Sequence, residues 1–281
     1  MKQVFKIELH RAFTCRGMKL SLLIGGAIAV YFCITEAIPV SKDIARMLSP
    51  EMLANPKTAM YYPDFLYYVW LGGSYFRTAP ETLYFVIFPI LAVLPFGDSL
   101  LMDQKDGYIK NACLHVKKSH YFAAKYTAVF ASGGAAVMLP LLFSFMLSCM
   151  LLPAVTPQVT SPNMSVIREY SSFPWLYYNM PMSFIGVYML IYFALGGLLA
   201  CLGAVVTAHV GYRFLVLVTP LILYMFANSM FQLLGMRDWQ PTNFLISGYE
   251  FDVRLPILTY ILVLLVVALF GYYSTRKADI F

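Results

Sequence analysis

The stretch DQKDGYIKNACLHVKKSHYFAAKY, residues 103–126, concentrates the charge of an otherwise apolar chain. Lys105, Lys110, Lys117, Lys118 and Lys125 stand there with Asp103 and Asp106, between two long hydrophobic runs. Within it Ile109, Ala112, Cys113 and Val116 recur at i, i+3, i+4 and i+7, which predicts a short amphipathic helix. Residues of these types at this spacing dock; they do not break bonds. An apolar face is available for burial and a basic rim can orient it. A connection that only joined two membrane helices would need about four or five residues, so this stretch has a further task.

Catalytic patterns are absent from the sequence. It contains no H-E-x-x-H, no G-x-S-x-G and no cluster of His with carboxylates, so no residue is assigned a catalytic role. It also lacks G-x-x-x-x-G-K-[ST], so any ATP that drives it is bound, with its magnesium, by another polypeptide. The cysteines, Cys15, Cys33, Cys113, Cys149 and Cys201, form no C-x-x-C pair and predict neither a disulfide frame nor a metal site.

The elements that must position the 103–126 stretch follow from composition. With 60% hydrophobic and 12% charged residues, 281 residues have too little polar surface for a soluble globule and read as an integral membrane protein. Runs of about 20 apolar residues cross a bilayer as helices, and six are expected, at about 19–38, 82–102, 121–152, 182–208, 213–235 and 255–274. They are continuous rather than alternating, so the fold class is all-α and the chain, 1–281, one transmembrane domain. Lys and Arg gather before the first run, in 103–126, at Arg213 and at Arg276 and Lys277, which places both termini in the cytoplasm. The net charge of +6 reads as this topology signal plus attraction to anionic lipid, with no nucleic-acid partner.

Residues 2–17 place Phe5, Leu9, Ala12 and Phe13 on one helical face with Lys6, His10 and Arg11 away from it, which predicts a helix lying in the cytoplasmic interface. On the outer side, 39–81 is too long for a plain connection. Ser49-Pro50-Glu51 has the form of a helix start, and the aromatic run YYPDFLYYVWLGGSYF suits a segment lying at the headgroup level or re-entering the bilayer beside the second span. Glu36, Tyr67, Tyr68 and Trp70 are candidates for an outer gate. The later runs carry no mid-membrane Asp, Glu, Lys or Arg, which argues against coupling to an ion gradient. Pro89, Pro95, Pro140 and Pro220 can break or kink their spans.

The order of these parts, and above all LPFGDSLLMDQKDGYIKNACLHVKKSHYFAAKY from Leu94 to Tyr126, resembles the ABC transporter permeases of the type 2 exporter family; the closing RKADIF is similar to their C-terminus. The resemblance implies a bacterial plasma-membrane protein that works as two permeases, identical or related, with two copies of a cytoplasmic ATPase subunit. It implies that loop 103–120 holds a coupling helix docking on that ATPase. Gly107, Tyr108, Ile109, Lys110, Asn111, Ala112, Cys113, Val116, Lys117 and Lys118 are then the contact, with Tyr108, Ile109 and Val116 as buried anchors and Lys110, Lys117 and Lys118 as rim. The expected cargo is amphipathic or hydrophobic, with peptides favoured because the spans offer apolar, aromatic and Met-rich surface. The competing reading is a non-transporting scaffold or sensor that uses the same helix to hold a cytoplasmic partner.

Overall fold

The computed structural model describes residues 2–47, 65–73, 78–157, 167, 171–207 and 210–277. The Ser49-Pro50-Glu51 helix start, the beginning and end of the aromatic run and the last four residues of RKADIF lie outside the described residues. The described regular elements are all helical. Helix α1 spans Lys2–Thr14 and α2 Arg16–Phe32; a π-helical turn, Cys33–Ala37, leads into α3, Ile38–Met47. Then follow α4, Ala79–Val93, α5, Ser99–Lys105, α6, Tyr108–His115, and α7, Lys118–Leu151. Short α8, Pro174–Asn179, precedes α9, Pro181–Val206, and α10, Arg213–Leu233; α11, Pro241–Phe244, and α12, Arg254–Lys277, complete the chain.

Among the described residues, five helices are long and apolar enough to cross a membrane: Arg16–Arg46, Lys118–Leu151, Pro181–Val206, Arg213–Leu233 and Arg254–Arg276. Two of the six expected runs differ in helical extent. The first does not stop near residue 38. The π-turn, in which the Ile38 N–H donates to the Cys33 carbonyl, already leaves the i→i−4 ladder, so Pro39 with its missing N–H follows without breaking the helix. The second run, 82–102, is not one helix. Its α4 has only 15 residues and ends just before Leu94 and Pro95, and α5 resumes after Asp98.

Pro95 cannot donate to the Leu91 carbonyl, and a lone carbonyl in a buried, apolar setting needs a donor. Ser21 of α2 supplies it, its hydroxyl donating to Leu91 O at 2.8 Å. The chain around Cys15 presses on the same break: the Cys15 thiol donates to the Pro95 carbonyl at 2.9 Å. At Gly17 a Cβ would stand only 2.2 Å from the Leu94 carbonyl oxygen, so a glycine is needed for this approach. The α1–α2 corner is thus built onto the interruption between α4 and α5.

The centre of the bundle is α7 against α9. A Cβ on Gly133 would come 2.3 Å from Ala200 Cβ, so the two backbones approach as small residues allow in membrane helix pairs. At 34 residues α7 is about 50 Å long, longer than a ~30 Å hydrocarbon core requires. Its polar first turns, with Lys118, His120 and Lys125, are the part that overhangs. The aromatic segment 65–73 is packed into the core of the bundle. Trp70 is fully buried, edge-on to Phe145 and Tyr192. Non-helical backbone inside a bundle must be paired, and here Leu71 N–H donates to Ser144 Oγ at 3.1 Å, while Gly72 O accepts from Ser247 N–H at 2.8 Å.

The account of the break predicts that Ser21→Ala, which strands the Leu91 carbonyl, costs about 1–3 kcal/mol, read as a lowered thermal midpoint in detergent. Thr35→Ala, which removes an exposed bond within its own helix, should leave the midpoint in place; equal shifts would contradict the assignment.

Candidate functional site

The amphipathic stretch folds as two short helices at the end of the bundle that carries α1, the first turns of α7 and the last turns of α12. The Tyr272 hydroxyl lies 3.3 Å from that of Ser119 there. Gly107, at φ 69°, takes the left-handed conformation that turns the chain from α5 into α6. Ile109 is buried against Leu100, Tyr121 and Phe122 of the chain itself. Tyr108 is half-buried, and Ala112, Cys113 and Val116 are half-buried beside it. Lys110, Asn111, His115 and Lys117 are exposed, Lys118 is half-buried, and Leu114 is 75% exposed.

Behind α6 lies a charged centre whose members no local spacing brings together. Lys125 of α7, fully buried, places its ammonium 2.6 Å from Asp103 Oδ2 and 3.1 Å from Glu8 Oε2. Arg11 bridges the same carboxylates from α1, Nη1 to Glu8 Oε1 and Nη2 to Asp103 Oδ1, both at 2.8 Å. The Tyr121 hydroxyl donates to Asp103 at 2.6 Å. Two carboxylates face two cations, so the centre is neutral, and the Phe96 ring closes it 4.2 Å from the Lys125 nitrogen. Arg11 also lies over the Tyr108 ring at 4.5 Å, which ties α6 to the same cluster.

Burial raises the Asp103 pKa, but the Lys125 charge and the hydrogen bonds from Arg11, Lys125 and Tyr121 outweigh it and hold the carboxyl below its usual range. For Arg11, burial works against the charged form, and the hydrogen bond and attraction of Asp103, with those of Glu8, raise its pKa nonetheless.

The protein-facing side of α1 is therefore Glu8, Arg11 and Ala12, with Phe5 half-buried, while Leu9 and Phe13 of the apolar stripe are exposed. Sequence places Lys125 among the topology-setting lysines and Arg11 away from the packed face; the structure turns both inward. The signal was present in Glu8, the one acid before Glu36 in a basic helix, a turn from Arg11. Asp98, at the α4–α5 break, pairs with Arg213 at the start of α10.

At the opposite end, Tyr67 and Trp70 are buried and Tyr68 half-buried in the packed core. Glu36 is half-buried on the π-turn and hydrogen-bonds to none of these three. The structure does not join the four candidates into one polar site. Among the described residues no three His, Cys, Asp or Glu side chains gather as metal ligands.

No protein-family model matches the chain, and neither a curated protein nor a solved structure does. What the structure shows is a multi-spanning, all-α membrane-helix bundle with a neutral, buried four-charge centre under an exposed short helix.

Lys125→Met would leave two buried carboxylates facing Arg11 alone, a loss of about 3–5 kcal/mol for a broken buried pair. Hydrogen exchange should then rise across residues 2–14 more than in α9. Because the Asp103 pKa is depressed, its contribution is complete above the unfolded value of about 3.9 and is lost as pH falls through the lower folded value. Protection of α1 should hold from pH 7 to 5 and fail only in stronger acid; loss between pH 6 and 5 would contradict this.

Proposed function

We propose that the chain is the membrane subunit of an ATP-driven exporter, a permease of the type 2 ABC kind. It would move an amphipathic or hydrophobic cargo, a peptide foremost, out of a bacterial cell. The observation that carries this reading is the seat of α6. A short helix projects at the overhanging end of α7 and is bound, through Tyr108, Arg11 and the buried centre, to α1, α5 and α7 together. A soluble partner that pushes α6 pushes all four as one body, which is what transmission of a rigid-body motion into a membrane bundle needs.

On this reading the contact lies on the outer face of α6. Ile109 serves the chain's own core and Tyr108 the Arg11 seat, so the face left for a partner is Lys110, Asn111, Leu114, His115 and Lys117. Leu114 is the apolar group on that face that a partner cleft would bury, with the lysines as rim. ATP and magnesium belong to two copies of that cytoplasmic ATPase, and a second permease, identical or related, completes the pathway. Both termini are cytoplasmic in this scheme.

The test is to co-express the chain with the ATP-binding subunit encoded beside it, purify through a tag on the permease, and measure ATP hydrolysis with and without amphipathic peptides. Co-purification with peptide-stimulated hydrolysis is expected. Leu114→Asp should reduce retained ATPase about tenfold, the equivalent of ~1.4 kcal/mol, with α6 exchange unchanged. Tyr108→Ala with Ile109→Ala should instead loosen α6 itself. A stable permease that retains no ATPase would transfer the chain to the scaffold reading.

A further inference from the structure

Helices α10 and α12 stand on the outside of the bundle, and between them lies an apolar cleft of about 210 Å³. Leu223 and Ala227 of α10 and Val263 and Val267 of α12 form its sides, and Leu199 of α9 and Phe244 of α11 its floor. Leu223 and Val263 are exposed on the outer surface, so the cleft opens sideways, toward the hydrocarbon that surrounds a spanning bundle.

An aromatic bridge closes its upper edge. The Phe231 ring stacks on Trp239 at 5.9 Å and meets Tyr260 at 6.5 Å, and the Tyr260 hydroxyl donates to the Trp239 carbonyl. Trp and Tyr in such a position mark the headgroup level. Beyond the bridge is a polar basin of about 670 Å³ bordered by Arg237, Gln240, Asn243 and Tyr249.

Two features of the basin select a ligand. Arg237 is exposed, and among the described residues no carboxylate reaches its guanidinium; neighbouring Asp238 accepts from the Tyr249 hydroxyl instead. Asn243 is only 5% exposed. Its amide nitrogen donates to Arg237 O at 2.8 Å and Gln240 Oε1 at 3.1 Å, yet its side-chain carbonyl has no donor among the described residues. A buried acceptor without a donor is costly, and a ligand N–H or O–H would relieve it.

We propose that these elements form a phospholipid site. One acyl chain occupies the α10–α12 cleft, the phosphate meets Arg237, and a donor on the headgroup, an ammonium or a hydroxyl, reaches the Asn243 carbonyl. Charge selects the phosphate and the orphaned oxygen selects a donor-bearing headgroup. The site requires only a surrounding membrane and does not depend on the export reading.

Native mass spectrometry of the purified full chain in mild detergent tests this. Phosphatidylethanolamine, phosphatidylglycerol, phosphatidylcholine and diacylglycerol, all with the same tails, are titrated separately. One ethanolamine or glycerol lipid should stay on each chain, with phosphatidylcholine, which lacks a donor, and diacylglycerol, which lacks phosphate, held more weakly. Ala227→Phe fills the cleft and should lower retention about tenfold, the equivalent of two lost methylene burials. Arg237→Gln should weaken the phospholipids about fivefold and leave diacylglycerol unchanged. Equal retention of all four lipids, or unchanged retention in a monodisperse Ala227→Phe chain, overturns the proposal. Loss of a dimer mass in that variant without any bound lipid would assign the cleft to a second copy of the chain. If Ala227→Phe does not fold, the exposed Arg237→Gln change decides by itself, since an unshifted phospholipid preference overturns the phosphate contact.

Discussion

A buried ammonium governs this structure. Lys125 is removed from water, and an isolated charge there would be prohibitive, so two carboxylates must reach it and a further cation must balance them. Those groups come from places far apart in the chain: Glu8 and Arg11 from α1, Asp103 from the end of α5. Meeting the demand of one side chain therefore fixes where α1 lies, how α5 approaches α7 and how α6 is seated. Such centres are weak evidence for net stability, because burial costs what pairing returns; their value is in register.

The same logic of compulsory partners runs through the rest of the bundle. At two departures from regular helix, a group from a distant element answers the backbone. Pro95 opens a carbonyl on Leu91 and the Ser21 hydroxyl closes it; the 65–73 segment enters the core, where Ser144 Oγ accepts from the Leu71 N–H and the Ser247 backbone N–H donates to the Gly72 carbonyl. These polar side chains sit inside spans that look uniformly apolar, and they explain why an interrupted second span coexists with a packed interior.

The two sides of the bundle differ in how they are held. Glycines let α7 and α9 approach closely at the centre, and the charged centre fixes the overhanging end. Helices α10 and α12, by contrast, show mostly apolar side chains outward, Phe226, Val266 and Phe270 among them, and leave a cleft between them. A closely packed inner pair thus stands beside an outer pair whose apolar faces are open.

Sequence by itself determined the class. The long charge-poor runs could only be membrane helices, and the 3.6-residue spacing from Ile109 to Val116 showed a helix where α6 stands. It also showed that Pro89 and Pro95 could break or kink the second span. Only the tertiary structure decided which face of each helix meets protein. Phe5, Leu9 and Phe13 make the conspicuous stripe of α1, yet Glu8 and Arg11 lie on its packed side, because their partners are 92 to 117 residues away and no local period records them. Trp70 stands in an aromatic run whose packing partners, Phe145 and Tyr192, are likewise recorded by no local period. Aromatic composition is a local property, whereas burial depends on which distant elements offer a cavity and a hydrogen bond to the backbone that carries the ring.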